Sequence, residues 1–188
     1  MKCLFWSYIL LQCFQISAQA QLGEYISIAN HPKSKSVNLK IKVPDGWVVE
    51  EGDRPNIVKK FIKGRNTYLI LIKDNLTFIS RNQAREILQD SSYINNYINE
   101  LIFSKKKYTL VSKSIVSVDN YPAIQFEAKC YSERVGIDFE LIMKGWIVFY
   151  EDKLVFLQSI SQSELEFKKY ATLFQLISNS VIFPDQYN

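Results

Sequence analysis

Apolar residues recur at every second position from Val37 to Val43, where Val37, Leu39, Ile41 and Val43 alternate with Asn38, Lys40 and Lys42. A period of two is that of a half-buried strand. Pro44-Asp45-Gly46 ends it with turn chemistry, and Trp47 follows. Ile57–Lys63 and Thr67–Lys73 predict two more strands, joined across Gly64-Arg65-Asn66 as a three-residue hairpin. The period then changes. Ser80-Arg-Asn-Gln83 has the spacing of a capping box. Behind it Ala84, Ile87, Leu88, Ser91, Ile94, Ile98, Leu101 and Ile102 recur at helical spacing, which predicts one long helix lying against a sheet.

From Tyr108 to Ile160 the alternation predicts four strands in a row, the first two linked by a tight turn at Asp119-Asn120. Tyr121–Tyr131 puts Pro122, Ile124, Phe126, Ala128 and Cys130 on one face. After a turn near Glu133–Gly136, Ile137–Tyr150 puts Phe139, Leu141, Met143, Ile147 and Phe149 on one face. Glu151-Asp152-Lys153 turns the chain into Leu154–Ile160. Ser163-Glu-Leu-Glu166 is a second capping box, opening a helix whose stripe is Phe167, Tyr170, Ala171, Phe174 and Ile177. A short strand, Val181–Phe183, ends at Pro184. No repeat, low-complexity tract or interdomain linker interrupts the order. It reads as one α+β domain, a mostly antiparallel sheet with helices packed on it.

Several of these segments resemble the PsbP-like superfamily. Ile41-Lys-Val-Pro-Asp-Gly-Trp47 resembles its early Pro-x-x-Trp strand-turn, and Tyr121-Pro-Ala-Ile-Gln-Phe126 its mid-chain Pro-Ala strand start. Phe149-Tyr-Glu-Asp-Lys-Leu-Val-Phe-Leu157 resembles the last hairpin, and Ser180-Val-Ile-Phe183 the close after the final helix. The resemblance runs over about residues 26 to 184. It implies an α-β-α sandwich that acts by binding a partner, without an established shared active site. The Ran-binding nuclear branch does not suit a chain with a secretory signal, and the plastid branch would need a transit composition that is missing. The uncharacterised secreted bacterial branch is the one it resembles.

That secretory signal is read from the first twenty residues. Lys2 is the only charge before Glu24, an apolar run spans Cys3 to Leu11, and Ala18-Gln19-Ala20 supplies small residues before a cut. Cleavage is expected between Ala20 and Gln21, giving a domain of residues 21–188. Gln12, Gln15, Gln19 and Gln21 argue against a membrane-spanning anchor. Leu10-Leu11-Gln12 ahead of Cys13 lacks the small residue of a lipoprotein signal. The cut removes Cys3 and Cys13, leaving Cys130 alone, so no internal disulfide is available and a hydrophobic core must stabilise the fold.

Composition narrows the function classes. The 188 residues carry a net charge of +4, too mild by itself for a nucleic-acid partner. One histidine, His31, leaves little room for zinc or His-based catalysis; beside Pro32 in a polar stretch it reads as solvent-exposed. Cys130 has the parity of an apolar face and reads as buried. Asp45, Glu50, Glu51 and Asp53 crowd one loop without the spacing of a calcium site. Asn75-Leu76-Thr77 is a glycosylation sequon, meaningful only in a eukaryotic host. Trp47 reads as core. Trp146 stands open between core and an exposed aromatic anchor. It forms a candidate partner surface with Lys105, Lys106 and Lys107, which otherwise suit a helix C-terminus.

The resulting expectation is a secreted or periplasmic, non-enzymatic accessory protein that binds an envelope protein or surface component. No catalytic residue, metal site or cofactor is nominated. Nucleic acid is not expected as a partner, nor is stable membrane insertion of the mature chain. Two alternatives stand beside it: a carboxylate-based hydrolase, and the same domain displayed by an uncleaved anchor. A concave polar pocket with two close acids would favour the hydrolase. A closed sandwich with an exposed apolar patch would favour the binder.

Overall fold

Alternating segments become strands, and seven of them pair into one sheet, in a computed structural model that describes residues 21–74, 77–103, 108–134 and 137–187. The two N-terminal strands, β1 (Leu22–Ser27) and β2 (Lys40–Pro44), pair antiparallel in a small sheet of their own. The large sheet holds β3 (Val48–Glu51), β4 (Ile57–Lys63), β5 (Asn66–Asp74), β6 (Tyr108–Val118), β7 (Tyr121–Arg134), β8 (Ile137–Tyr150) and β9 (Lys153–Ser161). Its order is β3-β4-β5-β9-β8-β7-β6, antiparallel at every step.

The turns follow local chemistry. Asp119 and Asn120 both have positive φ (46° and 69°), as a two-residue primed turn needs between right-twisted strands. The hairpin between β4 and β5 is tighter than its sequence suggests: Lys63 pairs with Asn66, so Gly64 (φ 58°) and Arg65 alone make the turn.

The expected long helix is two helices, α1 (Arg81–Ile87) and α2 (Ser91–Phe103). Ser80 and Gln83 close a reciprocal capping box on α1. The break comes at Asp90, whose Oδ1 accepts from the N–H groups of Ser92 (2.8 Å) and Tyr93 (3.3 Å) and starts a new helix. The last helix, α3 (Glu164–Asn179), has only half of its expected box. Ser163 Oγ accepts from Glu166 N–H, while the Glu166 carboxylate turns instead to Asn66 Nδ2 (3.0 Å). Val181–Phe183 is no strand but a single bridge from Ile182 to Lys40. Val37 and Leu39 are buried as their alternation predicts, yet they precede β2 in a loop.

Period-two strands have two faces, and here both are covered. On one, Trp47, Tyr68, Trp146 and Leu157 pack beneath Phe167, Phe174 and Ile177 of α3. On the other, Phe126, Ile147, Phe149 and Phe156 pack beneath Ala84, Ile94 and Ile98 of α1 and α2. This is an α+β fold with a mostly antiparallel sheet between helical layers.

Candidate functional site

With both faces covered, a wound loop at one corner and the outermost strand β6 present exposed chemistry among the described residues. The loop spans residues 28–38. Ile28 and Val37 anchor it in the core, and His31, Ser34 and Val37 each donate a backbone N–H to the carbonyl three residues back. Asn30, Lys35 and Ser36 all adopt positive φ (63°, 50° and 68°), a costly conformation for side chains with a Cβ. Together with Asp185 from the C-terminal 3-10 turn the loop encloses an open, polar groove of about 610 Å³.

The charged groups of this groove are engaged as straps. Lys33 N–H donates to His31 Nδ1 (3.1 Å), so Nε2 carries the ring proton and donates to Glu51 Oε2 (2.6 Å). Lys59, and then His31, hold the Glu51 carboxyl below the ordinary glutamate range. Lys33 Nζ donates to the carbonyls of Gly52 (2.5 Å) and Arg54 (3.1 Å), and Lys35 Nζ to Asp74 (2.5 Å). Asp185 accepts from Asn38 Nδ2 (2.9 Å) and Tyr150 OH (3.2 Å). His31 is thus a half-buried strut, not the solvent-exposed histidine its polar neighbours suggest. Among the described residues, the carboxylate lining the groove is that of Asp185. Glu50 and Glu51, read in sequence as part of an acidic loop, lie in β3 and pair with Lys60 and Lys59 across the strand.

β6 is the other surface. It is the terminal strand of the sheet, eleven residues long, and exposed from Val111 to Ile115. Its pairing with β7 slips at Val111, a bulge between Leu110 and Ser112. Lys113 Nζ reaches over to Asn95 of α2.

The sequence-nominated residues separate cleanly. Trp146 is not surface: it is 1% exposed, packed on the α3 face, with its indole N–H donating to Gln125 Oε1 (3.0 Å). The residue lies on the opposite parity to Met143 and Ile147, and α3 covers that side. Trp47 is core, edge-on to Tyr170 and Phe174. Cys130 is buried among Phe126, Ala128 and Met143. Lys105, Lys106, Lys107, Ala20 and the sequon residue Asn75 lie outside the described residues. Gln21 is exposed, its carbonyl accepting from Asp45 N–H. Val111, Lys113 and Ile115 were not singled out in the sequence, although the absence of acids from residue 101 to residue 118 is visible there.

This arrangement is a PsbP-like fold. The chain is similar to cyanobacterial PsbP (CyanoP) from Synechocystis sp. PCC 6803, with 11% identity, a TM-score of 0.53, and coverage of 87% of this chain and 94% of that one. It is also similar to LpqN, described as involved in cell envelope biogenesis, of Mycobacterium tuberculosis, with 13% identity, a TM-score of 0.51, and coverage of 84% and 89%. No protein-family model matches the chain, and no curated protein matches it by sequence. Among the described residues, no helix is long and apolar enough to cross a membrane.

Proposed function

We propose that the protein is exported, cleaved between Ala20 and Gln21, and acts in the periplasm or outside the cell as a non-enzymatic accessory domain that binds an envelope component. The observation that carries this reading is the combination of a closed sandwich, whose groove is strapped by its own ion pairs, with a long outer strand that is exposed. A surface of that kind suits binding a partner. The envelope setting draws further support from the PsbP-like fold shared with LpqN, a protein involved in cell envelope biogenesis. Lys105, Lys106 and Lys107, which directly precede β6 in sequence, belong to the proposed partner surface. Trp146 does not.

The test uses the full chain, tagged at its C-terminus and expressed in its host. N-terminal sequencing of the exported protein is expected to begin at Gln21. The tagged protein is expected to capture one reproducible envelope partner, identified by mass spectrometry and lost when Lys105–Lys107 are replaced by serine. An intact N-terminus would establish the anchored form instead. Capture of nothing at any salt concentration would end the adaptor reading.

A further inference from the structure

The straps of the wound loop use up its basic side chains: His31, Lys33 and Lys35 each hold a partner outside the loop. The groups left unused are neutral. Ser34 lines the groove at 2% exposure, and among the described residues its hydroxyl has no hydrogen-bond partner. The fully sealed side-chain atom without a partner among those residues is Gln186 Oε1, so Ser34 Oγ is not sealed, and the open space that Ser34 lines is the groove. A buried hydroxyl is costly to leave unpaired unless water or a ligand meets it. Beside it, Val37 N–H closes a turn onto the Ser34 carbonyl (2.9 Å), with Lys35 and Ser36 at its centre, both at positive φ. The N–H groups of Lys35, Ser36 and Asn38, which also line the groove, have no acceptor among the described residues. Asp185 adds a strong acceptor. Its carboxylate takes two neutral donors, Asn38 Nδ2 and Tyr150 OH, and no cation among the described residues.

We propose that this groove binds a neutral sugar residue, free or at the end of a glycan. This rests on the binding reading above and names a ligand class for it. A ligand here has to accept from backbone N–H groups and donate to Asp185, and a hydroxyl group does both. An anion would meet the uncompensated Asp185 charge, and an ammonium would meet three backbone donors. Ser34 Oγ, able to donate and accept, suits a hydroxyl in either sense. The volume of about 610 Å³ is that of a small-ligand site.

The exported protein, labelled with nitrogen-15, is titrated with glucose, N-acetylglucosamine, maltotriose, cellotriose and tri-N-acetylchitotriose and followed amide by amide by NMR. At least one is expected to shift the amide resonances of residues 30–38 and to leave β6 unmoved. A trimer that binds more tightly than its monosaccharide assigns the groove to a glycan end, and equal binding assigns it to a free sugar. Ser34→Ala is expected to weaken binding by about two- to tenfold, the worth of one hydrogen bond. Its melting temperature should not fall, because the native hydroxyl has no protein partner. Asp185→Asn is expected to weaken binding by about tenfold or more, as for a hydrogen bond to a charged group. Trigalacturonate should bind less well than the neutral trimer that binds best. The proposal is overturned if no neutral sugar shifts residues 30–38, if trigalacturonate binds more tightly than every neutral trimer, or if Ser34→Ala binds as well as the native chain. Capture of an envelope protein without any sugar-dependent shift discards the groove alone, whereas no capture and no shift together discard the binding reading itself.

Discussion

Tyr68 lies fully buried with its hydroxyl 2.7 Å from Ser178 Oγ, and Ser178 in turn lies 3.2 Å from the Phe174 carbonyl. The serine has one proton, which goes to the carbonyl, so the phenol is the donor to Oγ. Burial pushes the Tyr68 hydroxyl above its ordinary range and keeps that proton in place. Ser178→Ala strands a buried donor and is expected to cost about 1–3 kcal/mol in urea unfolding. Tyr68→Phe in the same chain removes the orphan, so the double variant should lose less than the sum of the single ones; additivity would mean the two hydroxyls are not coupled. Gly145 is constrained by packing. It faces Phe126 across β8 and β7, and a Cβ there would lie 2.5 Å from the ring. Gly145→Ala is therefore expected to destabilise by about 1–3 kcal/mol, with part recovered by Phe126→Leu.

Asp90 acts on an element. Its cap separates α1 from α2 although the apolar stripe runs through the break, with Leu88, Ile94 and Ile98 all buried in one cluster. Asp90→Ala is expected to cost about 1 kcal/mol, and amide exchange should quicken in the first turn of α2 while α1 is unchanged. The period of side-chain burial is what a sequence displays, and a helix break that preserves the period is invisible to it. β4, β5, β7, β8, β9 and α3 were legible for the same reason: each buries a face. β3 was not, because all four residues are exposed and Val48-Val49-Glu50-Glu51 has no alternation. The edge position of β6 is a property of strand order, which its own residues do not encode, and the cover over Trp146 comes from a helix far along the chain. The strap between β3 and the wound loop makes a pH prediction. Glu51 titrates below its ordinary value when folded, so its ion pairs stabilise above the unfolded value of about 4.3 and are lost as pH falls through the folded value. Below about pH 4, amide exchange corrected for intrinsic rates should rise in β3 and residues 28–38 before the core. Glu51→Gln should flatten that response, and an unchanged response would assign it to other carboxylates.

At the scale of the whole molecule, β8 joins the two helical layers. Trp146 and its neighbour Ile147 point into opposite clusters, so neither layer can be lost without loosening the other. Ile98→Ala, beneath α2, is expected to cost about 2–5 kcal/mol. It should lower the unfolding midpoint equally by far-ultraviolet dichroism and by the fluorescence of Trp47 and Trp146, which report from the α3 face. Two separated transitions would show the layers to be independent. Strand order also sets a clock. Asn66 finds its partner Ser161 95 residues later, and β5 has no second neighbour until β9 exists. A ribosome adding about 5–20 residues per second leaves β5 with one bare edge for about 5–20 seconds. Through that interval the nascent chain is an unfinished sheet, long enough for a chaperone or an export channel to take hold of it before the last strand locks the door.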